Sequence, residues 1–126
     1  MLFRFIRIVN GTAVYTTNFT PPTSPLTAVS NTQFLSLQNN QSTNNNMFVD
    51  SSTNNFLITR NGNTTPGTFS PYGNGWSNYF TASSDYLSIA TAPVPSTGAF
   101  TLETWIYTGV TGASQVIYSQ IGRAHV

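Results

Sequence analysis

Charge is the scarcest property of this chain. Only 6% of its 126 residues are charged, against roughly 25% in an ordinary globular protein, and there is no lysine. Asparagine, threonine and serine supply the polar surface instead. The formal net charge is +1 and the arginines are scattered along the sequence, whereas phosphate binding needs clustered lysines and arginines. The composition therefore argues against a nucleic-acid-binding protein.

Cysteine is absent too. Disulfide bonds are therefore excluded, and nothing in the sequence indicates a redox compartment. No apolar stretch approaches the roughly 20 residues of a membrane-spanning helix. Arg4 and Arg7 interrupt the apolar N-terminal stretch MLFRFIRIV, which argues against the core of a signal peptide. With 126 residues, the chain has room for one ordinary domain and little more.

The clearest pattern that is present is a strand at residues 100–107 with two unlike faces. One face carries Phe100, Leu102, Thr104 and Ile106, and the other carries Thr101, Glu103, Trp105 and Tyr107. Further short strands are predicted at residues 2–9, 33–38, 56–59, 76–80, 86–89 and 114–119, with the strands at 76–80 and 86–89 joined as a hairpin. The run 39–46 is almost wholly Asn, Gln, Ser and Thr and predicts a loop. The prolines and glycines of residues 64–75 predict a second long loop, and Asn10-Gly11 and Asn61-Gly62 predict turns at the ends of their strands. Turn signals at short spacing without a helical pattern predict an all-β antiparallel sandwich.

Two stretches of this sequence carry a family resemblance. GNGWSNYFTASSDYLSIA, followed by GAFTLETWIY, resembles the concanavalin A-like lectin/glucanase superfamily in its LamG-like jelly-roll form. The matching positions are Phe80, Asp85, Tyr86, Leu87, Phe100, Thr101, Leu102, Glu103 and Trp105. Thr81 and Ala82 depart from the Asp-Gly that usually follows the phenylalanine. The flanking stretch STNNFLITRNGNTTPGTFSPY resembles modules repeated in tail and virion proteins of phages, which implies a jelly-roll in a virion or extracellular setting.

The resemblance also suggests how the chain is divided. Residues 1–26 look like the last strand and tail of a preceding repeat, 27–32 like a linker, and 33–120 like the N-terminal part of a jelly-roll truncated at its C-terminus. Pro21, Pro22 and Pro25 favour an extended connector rather than a central strand. Terminal strands lie side by side in jelly-rolls of this kind. We therefore predict that residues 2–9 pair in the sheet with a strand of the 33–120 unit.

The last six residues have a separate interpretation. Residues 121–126 read IGRAHV, which resembles the translation of a common sequencing adapter, and a CAG codon for Gln120 fits that frame. The alternative is a natural C-terminal segment that happens to match. If the segment is an artefact, the chain's one histidine and Arg123 are spurious, and three arginines then balance three acidic residues.

Carboxylates are too few for hydrolase chemistry. The glucanases of the resembled superfamily use two carboxylates on one strand, and glycoside hydrolysis requires an acid and a nucleophile or base roughly 5–10 Å apart. This chain has only Asp50, Asp85 and Glu103. Glu103 is alone on its strand, where it is predicted to be an exposed residue or the partner of an arginine. We therefore expect no enzymatic activity and no catalytic residues.

Aromatic side chains are the best candidates for ligand contact. Trp105 and Tyr107, with Glu103 beside them, lie on one face of the predicted strand, where rings can stack on sugars. The alternative is that Trp105 fills the core between the two sheets, since large aromatic residues are usually buried. Asp85 is a candidate Ca²⁺ ligand, although aspartate more often caps a turn. No other cofactor is expected.

The sequence leaves open two main functions, which belong to different classes. The first is a non-catalytic LamG-like module of a structural or adhesion protein, presenting a sandwich to a glycan or a host-surface protein. The second is a purely architectural spacer, repeated along a fibre, which contacts only neighbouring repeats of its own chain. A third, a glycoside hydrolase fragment, lacks the carboxylate pair. Membrane insertion is not expected of any of them.

Overall fold

The computed structural model describes residues 1–37, 48–67, 69–73, 77–109, 112 and 114–120. The predicted loop at 39–46, Trp76 and the segment 121–126 lie outside the described residues. The strands are β1 (Leu2–Asn10), β2 (Thr32–Leu37), β3 (Ile58–Asn61), β4 (Thr65–Gly67), β5 (Ser77–Tyr79), β6 (Tyr86–Ile89) and β7 (Phe100–Tyr107). The described residues include no helix, and hence no apolar helix of membrane-spanning length.

β1 is the central strand of the larger sheet. One of its edges pairs with β7 along the whole strand, from Leu2 to Asn10. The other edge is shared by β2, which pairs with residues 5–9, and by β5, which pairs with the first two residues of β1. β4 extends the sheet beyond β5, and every pair is antiparallel. The prediction that residues 2–9 pair with strands of the 33–120 unit is therefore confirmed, while the repeat boundary at 27–32 stays a prediction.

A second sheet, made of β3 and β6, covers one face of the larger sheet. Between them, Ile8 of β1 and Phe34 of β2 are buried together with Val94. Burying each of these side chains contributes roughly 1.5–3 kcal/mol. Partly buried side chains complete this core: Ile6, Phe56, Ile58, Ile89, Leu102 and Tyr118. The fold is thus the predicted all-β antiparallel sandwich, and Leu102 lies on the core-facing side of β7.

The opposite face of the larger sheet is covered by the connector, which we define as residues 11–31. No strand forms in it, as its prolines predicted. Leu26 of the connector is buried against Phe5 of β1 and Leu35 of β2. Backbone hydrogen bonds hold its two ends, because Gly11 donates to Ala99 (2.8 Å) and Asn10 donates to Asn31 (3.1 Å). The larger sheet is therefore covered on both faces, by the second sheet on one and by the connector on the other.

Two predicted arrangements are wrong. The strands at 76–80 and 86–89 do not form a hairpin, because β5 lies in the larger sheet and β6 pairs with β3 in the other. The turn between them exists, with Asp85 N–H donating to the Ala82 carbonyl (3.1 Å), but it carries the chain from one layer to the next. The predicted strand at 114–119 has no strand in its described residues, where Tyr118 packs on the core instead. The sequence also missed β4, which contains Pro66 at a sheet edge where a missing N–H is tolerated.

Gly62 shows why one predicted Asn-Gly turn cannot take a side chain. Its φ is +66°, and a β-carbon there would lie 2.3 Å from Asp85 Oδ1 and 2.6 Å from the Ser84 carbonyl oxygen. Gly11, in the other Asn-Gly turn, has φ +68° with nothing within 4 Å. The two glycines share the backbone requirement but differ in the space around them.

We expect Gly62→Ala to lower the free energy of unfolding by roughly 2–5 kcal/mol, because left-handed strain and a clash with the turn carboxylate add together. Gly11→Ala is the matched control and should cost only the strain, about 1–2 kcal/mol. Urea unfolding of both variants measures the difference. Equal losses would mean that the Asp85 turn moves away from the new methyl group without cost.

Candidate functional site

Trp105 lies on the connector-covered face of the larger sheet, not between the two sheets. It is half-buried and packs on the cluster of Phe5, Leu26 and Leu35, where Tyr72 joins it. The interpretation that Trp105 fills the core between the sheets is therefore wrong. The period-two pattern separated its face from that of Leu102 correctly, but the connector rather than the second sheet covers that face.

A β-bulge places Arg4 beside this cluster. The register between β1 and β7 shifts between Phe3 and Ile6, so that Arg4 and Phe5 together stand opposite Trp105. Arg4 is only 6% exposed, and its guanidinium carbon lies 5.9 Å from the centroid of the Tyr72 ring. Burial lowers the pKa of Arg4 and raises the pKa of Tyr72. The Arg4 guanidinium, with the face of the Tyr72 ring against it, therefore lines the sheet surface beside Trp105.

Two adjoining depressions open to solvent around Trp105. We call them together the aromatic groove. One has a volume of about 190 Å³ and is lined by Leu2, Arg4, Phe69, Pro71, Trp105, Ile106 and Tyr107. The other has a volume of about 240 Å³ and is lined by Pro21, Pro22, Thr23, Pro71, Tyr72 and Trp105. Each is smaller than the roughly 300–1,000 Å³ of an enclosed small-molecule site, so the groove is a shallow contact surface.

Tyr107 forms the exposed end of the aromatic groove. Its ring lies 4.8 Å from that of Phe69, tilted by 36°. The two residues are 52% and 46% exposed, so a large part of this ring pair remains open to solvent. Of the predicted ligand contacts, Trp105 and Tyr107 are therefore brought together in one groove.

Glu103, the third predicted ligand contact, is engaged elsewhere. It stands opposite Arg7 in the β1–β7 register and forms a salt bridge with the Arg7 Nε. Tyr15 of the connector donates its hydroxyl to the other carboxylate oxygen at 2.7 Å, and Arg7 also donates to the Thr27 carbonyl at 2.7 Å. Burial, followed by the hydrogen bond to Glu103, raises the pKa of Tyr15. The interpretation of Glu103 as the partner of an arginine is confirmed, and its role is to fasten the connector to the sheet.

Asp85, the predicted calcium ligand, caps the turn between β5 and β6. Its Oδ1 accepts from the Asn63 N–H at 2.8 Å, and its Oδ2 accepts from the Thr81 hydroxyl (2.7 Å), the Thr81 N–H (2.8 Å) and the Ala82 N–H (3.0 Å). These donors, the Asn63 N–H first, hold the pKa of Asp85 far below its ordinary 3.8. A cation would have to displace them, and the described residues hold no cluster of three or more His, Cys, Asp or Glu side chains.

The depressed pKa of Asp85 predicts that acid destabilises the protein by protonating this carboxylate. Because the folded-state pKa lies below the unfolded value near 3.8, the stabilisation is present above that pH and is lost as the pH falls further. We expect the urea midpoint of the wild type to drop between pH 5 and pH 2. Asp85→Asn should be less stable at pH 6 and should show a flatter dependence over the same range. Parallel curves for the two proteins would contradict this assignment.

Sequence reasoning missed several residues of the aromatic groove. Phe69, Pro71 and Tyr72 fall in a stretch whose prolines and glycines predict a loop, and the connector prolines predict only an extended connector. The pair of aromatic residues inside this Pro- and Gly-rich loop is the sequence signal that indicates a binding surface, since loops positioned by a rigid scaffold often carry binding residues. Arg4 was interpreted only as an interruption of an apolar run.

No protein-family model, no curated protein and no solved structure matches the chain, so the concanavalin A-like resemblance stays a prediction.

Proposed function

We propose that the chain is a non-catalytic binding module of a structural or adhesion protein, of the phage-virion kind implied by its LamG-like resemblance, and that the aromatic groove contacts carbohydrate. The observation that carries this proposal is the grouping of Trp105, Tyr107, Phe69 and Tyr72 in one shallow, open groove. Sugar rings present apolar C–H faces edged by hydroxyls, and aromatic rings bind such faces by stacking.

The shape of the aromatic groove suits a chain of sugars better than an isolated small molecule. Its two depressions adjoin at Pro71 and Trp105, and each is lined mainly by apolar side chains. A ligand lying along both would contact Tyr107 at one end and the connector prolines at the other. Affinity would then come from several weak contacts in a row.

The chain's carboxylates support binding rather than hydrolysis. Asp50, Asp85 and Glu103 each accept hydrogen bonds that hold separate parts of the fold together. None of the three lines either depression of the aromatic groove. An acid–base pair across a bound sugar, which glycoside hydrolysis requires, is therefore not part of the proposal.

A glycan array probed with the whole chain tests this proposal, followed by titration of any glycan that binds. Tyr107→Ala should weaken binding roughly 2- to 13-fold, the equivalent of the about 0.5–1.5 kcal/mol of an aromatic contact. Tyr86→Ala is the matched control, because Tyr86 is 53% exposed against 52% for Tyr107 but lies on β6. Thermal melting should show that both variants remain folded. Equal binding by both variants would place the contact elsewhere.

The alternative function is an architectural spacer without a ligand. It is favoured by one observation, that Pro21 and Pro22 of the connector already occupy one side of the aromatic groove. In that case the exposed rings serve to hold the connector rather than a sugar. Absence of binding across the whole array, with the protein folded, would favour the spacer.

A further inference from the structure

The outer edge of β7 is unpaired in the part of the chain that the structure describes. A strand has two edges, and β7 uses one of them to pair with β1 over its whole length. Among the described residues, no strand pairs with its other edge. The side-chain exposure of β7 agrees with a position at the edge of the sheet: Phe100, Ile106 and Tyr107 are 49%, 39% and 52% exposed. Alternate residues along the eight-residue β7 thus direct their backbone N–H and C=O groups to the side of the larger sheet.

The sequence of β7 lacks the residues that usually protect an edge strand against pairing. Edge strands are commonly protected by lysine, proline, a bulge or extreme shortness. β7 contains neither lysine nor proline, and the bulge in its pairing with β1 comes from the extra residue in β1. Its single charge, on Glu103, is held by Arg7 and Tyr15. By contrast, β4 has three residues including Pro66, and β2 is partly covered through the Ser36–Asp50 bridge.

We propose that β7 is a self-association surface, on which a second copy of this chain pairs its own β7 in antiparallel orientation, with Thr104 on the two-fold axis. The sequence of β7 selects this register. Parallel pairing in register, or antiparallel pairing centred on Glu103, would place two Glu103 side chains opposite each other, and like charges directly opposite are destabilising. Moving the centre by one residue to Thr104 removes that conflict and keeps seven residues of each strand paired.

In the Thr104-centred register every cross-strand pair is compatible. Thr104 meets Thr104, Leu102 meets Ile106, Glu103 meets Trp105, and Thr101 meets Tyr107. Each pair joins residues from the same face of the sheet, as antiparallel pairing requires. The exposed Ile106 side chain gains an aliphatic neighbour, and cross-strand pairs of this kind each contribute about 0.2–1 kcal/mol.

Such a dimer would place both aromatic grooves on the same face of one continuous sheet. A two-fold axis perpendicular to the sheet preserves its faces, so the Trp105 and Tyr107 of both copies point the same way. A repeated ligand could then contact both grooves, with a gain from effective concentration. The dimer itself does not depend on the proposed carbohydrate function, because its formation is measured without ligand.

Sedimentation equilibrium of the wild-type chain, without ligand, is the first test. We expect a concentration-dependent mass rising to twice that of one chain at tens of micromolar. The second test is a single cysteine, because the chain has none of its own. Thr104→Cys places the two thiols opposite each other, within the roughly 4.4–6.8 Å between α-carbons that a disulfide needs. Mild oxidation should convert most of it to a covalent dimer.

Thr59→Cys is the matched control, since Thr59 is an exposed threonine on β3 in the other sheet. It should form at least tenfold less disulfide dimer under the same oxidation. Both reduced variants should still melt cooperatively, with Thr104→Cys somewhat less stable because it loses the hydrogen bond that the Thr104 hydroxyl donates to the Phe5 carbonyl at 2.5 Å. A wild-type chain that stays monomeric at 100 μM overturns the proposal, and so does equal cross-linking of the two cysteine variants. A dimer that forms while no glycan binds would support this surface and count only against the carbohydrate function.

Discussion

Replacing Asp50 by alanine is expected to unfold the chain. Asp50 is 2% exposed, and its two carboxylate oxygens accept from the N–H groups of Leu35, Ser52 and Phe56, at 2.9 Å each, and from the Ser52 hydroxyl at 2.8 Å. Alanine leaves three N–H groups without an acceptor, at about 1–3 kcal/mol each where they are buried. That loss is comparable with the roughly 5–15 kcal/mol that stabilises a whole domain.

Circular dichroism during heating measures this effect. Asp50→Ala should show no cooperative melting transition, and Asp50→Asn should be intermediate, because it keeps one oxygen but turns an amide donor toward other donors. Ser51→Ala is the control. Ser51 is exposed, and its only described role here is a backbone N–H donated to the Leu35 carbonyl at 2.7 Å, which alanine retains. An Asp50→Ala protein that melts like the wild type would show that water can take over these donors.

The second large effect is expected at the Arg7–Glu103 salt bridge. The two side chains are 5% and 14% exposed, and removing one partner of a buried pair leaves an uncompensated charge that costs about 3–5 kcal/mol. We therefore expect Arg7→Met and Glu103→Met each to lower the free energy of unfolding by about that amount. The double variant should lose much less than the sum, because no isolated charge remains.

Urea unfolding of the four proteins completes the double-mutant cycle. The double variant still loses the hydrogen bonds to the Tyr15 hydroxyl and the Thr27 carbonyl, so it should remain somewhat less stable than the wild type. Tyr15→Phe isolates the contribution of the connector and should cost about 1.5–3 kcal/mol, the range for a hydrogen bond to a charged group. Additive losses from Arg7 and Glu103 would mean that the ion pair carries no coupling energy.

Both effects concern acidic residues, and of these two the sequence predicted a partner only for Glu103, as an arginine. From three carboxylates one could conclude that a catalytic pair was missing, but not that each would organise a different part of the fold. Glu103 joins β7, β1 and the connector, Asp50 joins β2 to the loop before β3, and Asp85 joins two turns. Each role includes at least one donor far away in the sequence: Arg7 for Glu103, the Leu35 N–H for Asp50 and the Asn63 N–H for Asp85. A residue pattern carries no record of such donors.

The sequence by itself determined the local structure. β1, β2, β6 and β7 lie within about two residues of their predicted positions, because period-two alternation and turn residues are properties of neighbouring positions. The turns at Gly11 and Gly62 followed from Asn-Gly for the same reason, and both glycines have positive φ. The pairing of β1 with the following unit was predicted from the jelly-roll resemblance, and burial of its apolar residues favours that pairing.

Only the tertiary structure decided which strands pair and what covers each face. The sequence favoured a hairpin for β5 and β6 because they are adjacent in the chain, whereas the fold places them in different layers. It could show that Trp105 and Leu102 point in opposite directions, but not that a connector lies over one and a second sheet over the other. The aromatic groove likewise joins β7 to residues 69–72 and to the connector. Alternation along a strand defines two faces, and only contacts between distant segments determine what each face packs against.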